Sequence, residues 1–301
     1  MDLFNKLIAS LLPIVPKGIV RKVSARYIAG DALPDAVRCV RSLNNEGAMA
    51  TVDVLGEYIK NIGEADENTR YSCEVLETIE REKIDGNLSI KLTSLGLGLD
   101  NSRCEENVRK ILDTAKAHGN IFVRFDMEDS HYTTLTIDLY DKLRKEYSNV
   151  GVVIQAYLRR TEDDIKRLTD GGATNVRLCK GIYIEPEEIA FKGRDEIREN
   201  FAKCLDLLFS RGAYVGIATH DEVIVENAKS IIKKHSLDRT KYEFQMLLGV
   251  RENMRRAIIK EGHRLRVYVP FGADWYGYSV RRLKENPSVA GHVFKAMFTR
   301  G

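Results

Sequence analysis

The chain has 301 residues, 44% of them apolar and 30% charged, with a formal net charge of +3. Charges of both signs are mixed along it, which argues against a nucleic-acid binder, whose basic residues gather on one face. Five cysteines, an odd number without a C-x-x-C pair, fit reduced thiols in a cytosolic protein and not a disulfide framework or a zinc site.

The first predicted element is a short apolar stretch, residues 7–15. It is too short to span a bilayer. It lacks a small-residue cleavage site and Asp2 precedes it, so it does not read as a signal peptide. Lys17, Arg21 and Lys22 follow. The stretch reads as a helix packed on the domain, with peripheral contact to anionic lipid as the alternative. Residues 1–45 form an N-terminal helical segment in this reading, and residues 46–301 a single barrel domain.

Strands are predicted at 50–55, 88–92, 121–125, 152–156, 175–178, 214–218, 242–244 and 265–269. Most are nearly continuous apolar runs, as expected of strands covered on both faces. Amphipathic helical patterns lie between them, at 105–117, 133–146, 197–209, 220–234 and 251–261. Gly171-Gly172 is a helix stop before the fifth strand. Eight such units in one domain fit an α/β fold, a distorted (β/α)8 TIM-type barrel with extra N-terminal helices. The rival, a doubly wound open sheet, needs a phosphate-binding glycine fingerprint. The nearest approach is Gly96-Leu97-Gly98, but Asn101 stands where the third glycine belongs, so it reads as a loop.

A group able to bind or react falls at the C-terminal end of nearly every predicted strand. In order they are Glu57, Lys91 with Thr93, Asp126 with Glu128, Gln155, Arg177 with Lys180, Thr219 with His220, Gln245, and Tyr268. In a barrel those ends converge on one mouth, where active sites are built. After the last strand, residues 275–286 read as a helix stopped by Pro287. Tyr278, Arg281, Arg282 and Glu285 share one face of it, with Val280 and Leu283 on the core side. Two adjacent arginines beside a tyrosine suit a small carboxylate, which guanidinium forks grip with two bonds. The six histidines form no H-x-H or H-E-x-x-H pattern, so no metal is expected.

Over residues 51–286 these motifs, taken in order, resemble the catalytic domain of proline dehydrogenase. They are Val52-Asp53-Val54-Leu55-Gly56-Glu57, Ile90-Lys91-Leu92-Thr93, Arg124-Phe125-Asp126-Met127-Glu128-Asp129 and Val153-Ile154-Gln155-Ala156-Tyr157, then Val176-Arg177-Leu178-Cys179-Lys180-Gly181-Ile182-Tyr183, Ala218-Thr219-His220, Tyr242-Glu243-Phe244-Gln245-Met246-Leu247, Arg266-Val267-Tyr268-Val269-Pro270 and Tyr278 through Asn286. Each is weak alone; the set is specific.

The resemblance implies a distorted barrel with its last helix over the mouth, a non-covalent FAD, and oxidation of L-proline to 1-pyrroline-5-carboxylate. It implies that Arg281 and Arg282 hold the proline carboxylate with help from Lys91, and that Tyr268, Tyr278 and Leu247 pack around the ring. Asp126 sits beside the substrate and the lysine, and Glu57 pairs with Arg281 to close the site. On the flavin side it implies Arg177 at the reactive nitrogen and Gln155 and Gln245 at the flavin edge. The backbone of Cys179, Gly181 and Tyr183, with Thr219 and His220, holds the ribityl and pyrophosphate parts. Glu285 reaches the adenosine or ribityl side, and Lys192 and Arg194 approach the phosphates. Cys179 and Ile182 depart from the valine and alanine common in the family, which touches local packing and not the activity.

The resemblance further implies that electrons pass to a membrane quinone, for which residues 7–15 would make peripheral contact at the inner face of the membrane in an otherwise cytoplasmic protein. The chain has no room for the aldehyde dehydrogenase half of bifunctional relatives, so a separate 1-pyrroline-5-carboxylate dehydrogenase is expected. Two other readings stay open on the residues alone. One is a lysine Schiff-base aldolase-type barrel enzyme using Lys91 or Lys180 at strand ends. The other is a barrel-shaped binding protein without chemistry.

Overall fold

The computed structural model describes residues 18, 20–21, 25–56, 59–172 and 174–285, the last five by backbone alone. Eight parallel strands close into a barrel in chain order. They are β1 (Met49–Val54), β2 (Gly86–Ile90), β3 (Val123–Phe125), β4 (Val150–Gln155), β5 (Asn175–Cys179), β6 (Tyr214–Ala218), β7 (Tyr242–Leu247) and β8 (Leu265–Phe271). Closure comes from β8 against β1, with Thr51 opposite Tyr268 and Val54 opposite Phe271.

The helices are α1 (Leu33–Asn45), α2 (Ile62–Arg81), α3 (Asn101–Ala117), α4 (Ser130–Leu143), α5 (Thr161–Asp170), α6 (Arg194–Ser210), α7 (Glu222–Lys234), α8 (Glu252–Lys260) and α9 (Trp275–Glu285). Side chains at their first residues explain several starts: Asn61, Asp100, Asp129 and Asp221 each accept a bond from a first-turn N–H. The α7 cap at Asp221 moves that helix two residues later than its apolar pattern suggests.

The longest helix, α2, lies between the first two predicted strands, where the sequence pattern assigns no helix by range. Its buried face includes Thr69, Ser72, Cys73 and Thr78 beside Val75, Leu76 and Ile79. Small polar residues on the inward side lower the amphipathic contrast that marks a helix in sequence.

The strands are two-faced. Their outer residues, such as Val52, Leu88, Ile154, Leu178, Ile217, Phe244 and Val267, pack with the helices into one large apolar core. Their inner residues are largely polar, including Thr51, Asp53, Ser89, Asp126, Arg177, Glu243 and Gln245, and all of these are buried. An ordinary barrel fills this lumen with branched apolar side chains; here a hydrogen-bonded network fills it.

Helix α1 packs across β8 and β1. Helix α9 instead joins a second apolar cluster in which Tyr278 meets Leu55, Tyr27 and Val20. Leu55 directly follows β1, so this cluster lies at the C-terminal end of the barrel. The segment before α1 is fastened to the same end: Arg26 donates to the Gly249 carbonyl, and Ala29 N donates to Pro270 O at 2.9 Å.

Candidate active site

Asp126 is the hub of the mouth. It stands one residue beyond β3, and its N–H donates to Ile90 O. Its Oδ1 accepts from Ser89 Oγ at 2.7 Å and from Arg177 Nη1 at 2.6 Å. Its Oδ2 accepts from the Tyr268 hydroxyl at 2.6 Å. Burial pushes the carboxyl up, but the Arg177 and Lys91 charges and the bonds from Tyr268 and Ser89 prevail and hold it below the usual carboxylate value. Tyr268 is pushed the other way, well above an ordinary phenol, by burial and by the Asp126 and Asp53 carboxylates.

Lys91 lies just beyond β2 and donates to Asp53 Oδ1 at 2.6 Å. Asp53 is buried, and burial raises its pKa against the opposing lysine charge. Lys91 thus sits against a buried carboxylate, unlike the apolar pocket or neighbouring cation that activates a Schiff-base lysine. The second strand-end lysine, Lys180, is 43% exposed at its side chain and stands 3.7 Å from Asp221.

Arg177, on β5, is held in a planar fork. Its Nε donates to Gln245 Oε1 at 2.5 Å and its Nη1 to Asp126, and its guanidinium carbon lies 5.2 Å from the Tyr268 ring centre. The remaining nitrogen, Nη2, is buried without a hydrogen-bond partner among the described residues. Both ends of the Gln245 amide are engaged within the barrel, since Nε2 donates to Glu243 Oε1 at 2.6 Å. Gln155 Nε2 donates to the Glu128 carbonyl at 2.9 Å. The Glu128 carboxylate takes the Thr93 N–H and hydroxyl, so this pair ties two mouth loops together.

A second cluster lies beyond β5 and β6. Asp221 accepts the Arg198 fork at 3.0 and 2.9 Å, and Lys180 and Arg194 each stand 3.7 Å from the same carboxylate. Burial raises the Asp221 carboxyl, but Arg198 and Lys180 outweigh it and leave it below its usual value. Arg198 also pairs with Asp195 at 3.0 Å, so three cations face two carboxylates and a local positive excess of one remains. With His220, Leu247 and Arg251 these cations border a cavity of about 430 Å³. His220 Nε2 accepts from Leu247 N at 2.8 Å, and Thr219 Oγ1 accepts from Asp221 N. An anionic group suits this rim.

The loop between β5 and α6 runs close to the cavity. Gly181 takes a φ of +106°, and a Cβ built there would overlap the Tyr157 ring. The loop is fastened by Tyr157 N to Lys180 O at 2.8 Å and by Glu185, whose carboxylate takes the Ser130 N–H and hydroxyl. Lys192 bonds the Glu185 carbonyl and belongs to this fastening, whereas Arg194 borders the cavity. Cys179 Sγ lies 3.5 Å from Ile154 O, and Tyr183 is half-buried in the loop.

Of the residues singled out in sequence, the structure brings Lys91, Asp126, Arg177, Gln245 and Tyr268 into one network, and Thr219, His220, Leu247 and Arg194 around the second cluster. Tyr278 is buried beside Leu55 and Tyr27. Glu57 lies outside the described residues, as do the side chains of Arg281, Arg282 and Glu285. Asp53, Ser89, Glu243, Arg198 and Asp221 were not singled out. For Asp53, Ser89 and Glu243 the usable signal is a polar residue alternating with apolar ones inside a predicted strand. Among the described residues no cluster of three or more His, Cys, Asp and Glu could hold a metal, and no helix is long and apolar enough to cross a membrane.

The sequence matches the family model described as proline dehydrogenase over residues 36–295. It is 40% identical over 277 residues to proline dehydrogenase 2 of Bacillus subtilis, covering 92% of this chain and 91% of that one. It is 33% identical over 280 residues to the proline dehydrogenase of Deinococcus radiodurans, covering 91% and 90%. Among solved structures, the fold is similar to proline utilization A of Bdellovibrio bacteriovorus inactivated by N-propargylglycine. The TM-score is 0.84 at 23% identity, over 94% of this chain and only 36% of that much longer one.

Proposed function

The chain belongs to the proline dehydrogenase family, and from that premise we propose that it oxidises L-proline to 1-pyrroline-5-carboxylate with FAD at the barrel mouth, as an oxidoreductase of proline catabolism. The observation that carries this is the Arg177 fork: two of its nitrogens are fixed by Gln245 and Asp126, and the third is a buried donor without a partner among the described residues. A buried donor needs an acceptor, and the flavin edge supplies one.

The residues present fit that cofactor. Arg177 would face the flavin ring; Gln155, Cys179, Gly181 and Tyr183 would shape its wall; Thr219, His220 and Arg194, with Lys180 and Arg198, would hold the pyrophosphate at the cationic cavity. Gln245 would hold Arg177 through its amide oxygen, and its second N–H remains available to the flavin edge. Lys192 contributes by fastening the loop, and Glu285 completes the nucleotide side. When bound, FAD supplies the two-electron acceptor.

The chain's own groups bind and orient the substrate. Arg281 and Arg282 grip the carboxylate, with Lys91 adding charge, and Glu57 closes over Arg281. Tyr268, Tyr278 and Leu247 confine the ring. Proline would lose a hydride equivalent from C5 to the two-electron acceptor that FAD supplies and its N–H proton to solvent, leaving a cyclic imine. The amine must be neutral first, and the nearby cations lower its pKa. Asp126 fixes Arg177 and Tyr268 rather than moving a proton, because three donors already occupy its oxygens. A membrane quinone would accept the electrons, with residues 7–15 making the peripheral contact, and a separate dehydrogenase would take the imine's hydrolysis product on to glutamate.

A visible spectrum of the purified protein, repeated after anaerobic addition of L-proline, tests the proposal. Flavin bands that bleach are expected. A colourless protein, or bands that proline leaves unchanged, would overturn it.

A further inference from the structure

Below the mouth, the barrel lumen holds one carboxylate that the reaction itself does not use. Glu243 is 2% exposed and sits on β7 two residues before Gln245. That spacing places it on the same lumen face, roughly 7 Å further from the mouth, out of reach of any ligand there.

We infer that Glu243 is a positioning residue: it fixes the orientation of the Gln245 amide and, through it, the Arg177 guanidinium. The inference rests on the flavin reading above. An ionised carboxylate only accepts hydrogen bonds. Glu243 Oε1, 2.6 Å from Gln245 Nε2, therefore selects the amide nitrogen, which turns Gln245 Oε1 towards Arg177 Nε at 2.5 Å. The flipped amide would set oxygen against oxygen at one end and donor against donor at the other.

Glu243 is itself immobilised. Arg266 Nε donates to Oε1 at 2.7 Å and Arg266 Nη2 to Oε2 at 3.2 Å, while the Tyr214 hydroxyl donates to Oε2 at 2.8 Å. Gly216 on β6 is the neighbouring lumen position, and a Cβ there would overlap the Gln245 amide. The space for that amide is built in. With Nε held by Gln245 and Nη1 by Asp126, the rigid guanidinium plane leaves Nη2 a single direction. Alignment of this kind at a site of developing negative charge favours the reduced cofactor.

The test compares Glu243→Gln and the charge-neutral double variant Glu243→Gln/Arg266→Gln with the wild type, by flavin midpoint potential and by proline kinetics. Loss of alignment makes the flavin harder to reduce. A more negative midpoint is expected in both variants, with kcat about ten-fold lower and KM within about two-fold. Charge alone predicts otherwise. Removing a buried negative charge would raise the midpoint in the single variant, and the double variant would stay unchanged. A positive shift in Glu243→Gln, or a wild-type midpoint in the double variant, overturns the inference. If a stranded Arg266 prevents the single variant from folding, the double variant decides alone. A wild type without flavin overturns the functional reading itself; a wild type that bleaches with proline beside variants of unchanged potential overturns only the role of Glu243.

Discussion

Arg177 Nη1 and Asp126 Oδ1 meet at 2.6 Å, with side chains only 8% and 12% exposed. Each partner is further tied, Arg177 to Gln245 and Asp126 to Ser89 and Tyr268. A buried pair of this kind costs little once every group is satisfied, but removing one member strands the other. Asp126→Asn keeps the shape, removes the charge and offers one acceptor oxygen in place of two. We expect it to lower stability by about 3 kcal/mol in urea unfolding and to lower kcat/KM for proline by about 100-fold. Wild-type stability in this variant would show that the pair does not hold the mouth together.

The barrel was legible in sequence because its outer strand faces are apolar at every turn of the fold, from Val52 to Val267. Even the short strand β6 falls at the predicted residues. The lumen was harder to read. In β5, Asn175, Arg177 and Cys179 alternate with Val176 and Leu178; in β7, Glu243 and Gln245 alternate with Phe244 and Met246. Such alternation marks two different faces, yet the apolar half dominates a short run. For Asp53 and Ser89 the alternation marks a lumen position but not what the side chain bonds to. Their roles come from partners on other strands: Lys91 is 38 residues from Asp53, and Asp126 is 37 from Ser89. Asp221 and Arg198 are likewise joined across 23 residues.

Gly181 is a backbone requirement. Its φ of +106° strains any other residue, and the Tyr157 ring occupies the place of a Cβ. The loop cannot slide away, because Tyr157 N holds Lys180 O. Gly181→Ala should lower stability by about 1–3 kcal/mol and reduce flavin retained after dialysis. Replacing Tyr157 with Ala in the same chain relieves the overlap but not the torsion, so flavin retention should recover in part. Full retention in Gly181→Ala alone would count against the loop as a wall of the cofactor site.

Arg281 and Arg282 fall within α9, the helix whose Tyr278 packs at the C-terminal end of the barrel. If they grip the substrate carboxylate, Arg281→Met and Arg282→Met each lose charged hydrogen bonds, about 1.5–3 kcal/mol of binding. Both variants should keep flavin and its spectrum while the apparent KM for proline rises by about 10- to 100-fold. Unchanged kinetics in both variants would remove the carboxylate clamp from the proposal.

Glu243 also sets a pH dependence of stability. Burial pushes its carboxyl up, but the Arg266 charge and bond, with Tyr214 and Gln245, prevail and bring it from an ordinary 4.5 to about 2. A carboxylate whose folded value is depressed contributes stability above its unfolded pKa and loses it as pH falls through the folded one. The contribution is therefore complete above about pH 5, fades between about 4.5 and 2, and is on the order of 3 kcal/mol at most. Urea unfolding of wild type and Glu243→Gln across this range should show a stability gap that is constant above about pH 5 and narrows towards about pH 3. Part of the gap remains at about pH 3, because Glu243 with a folded value of about 2 is still largely ionised there and still neutralises Arg266, which the variant leaves without its counter-charge. A gap of the same size at about pH 6 and about pH 3 would mean that Glu243 is not ionised within the barrel, and the acceptor-only geometry that orients Gln245 would lose its basis.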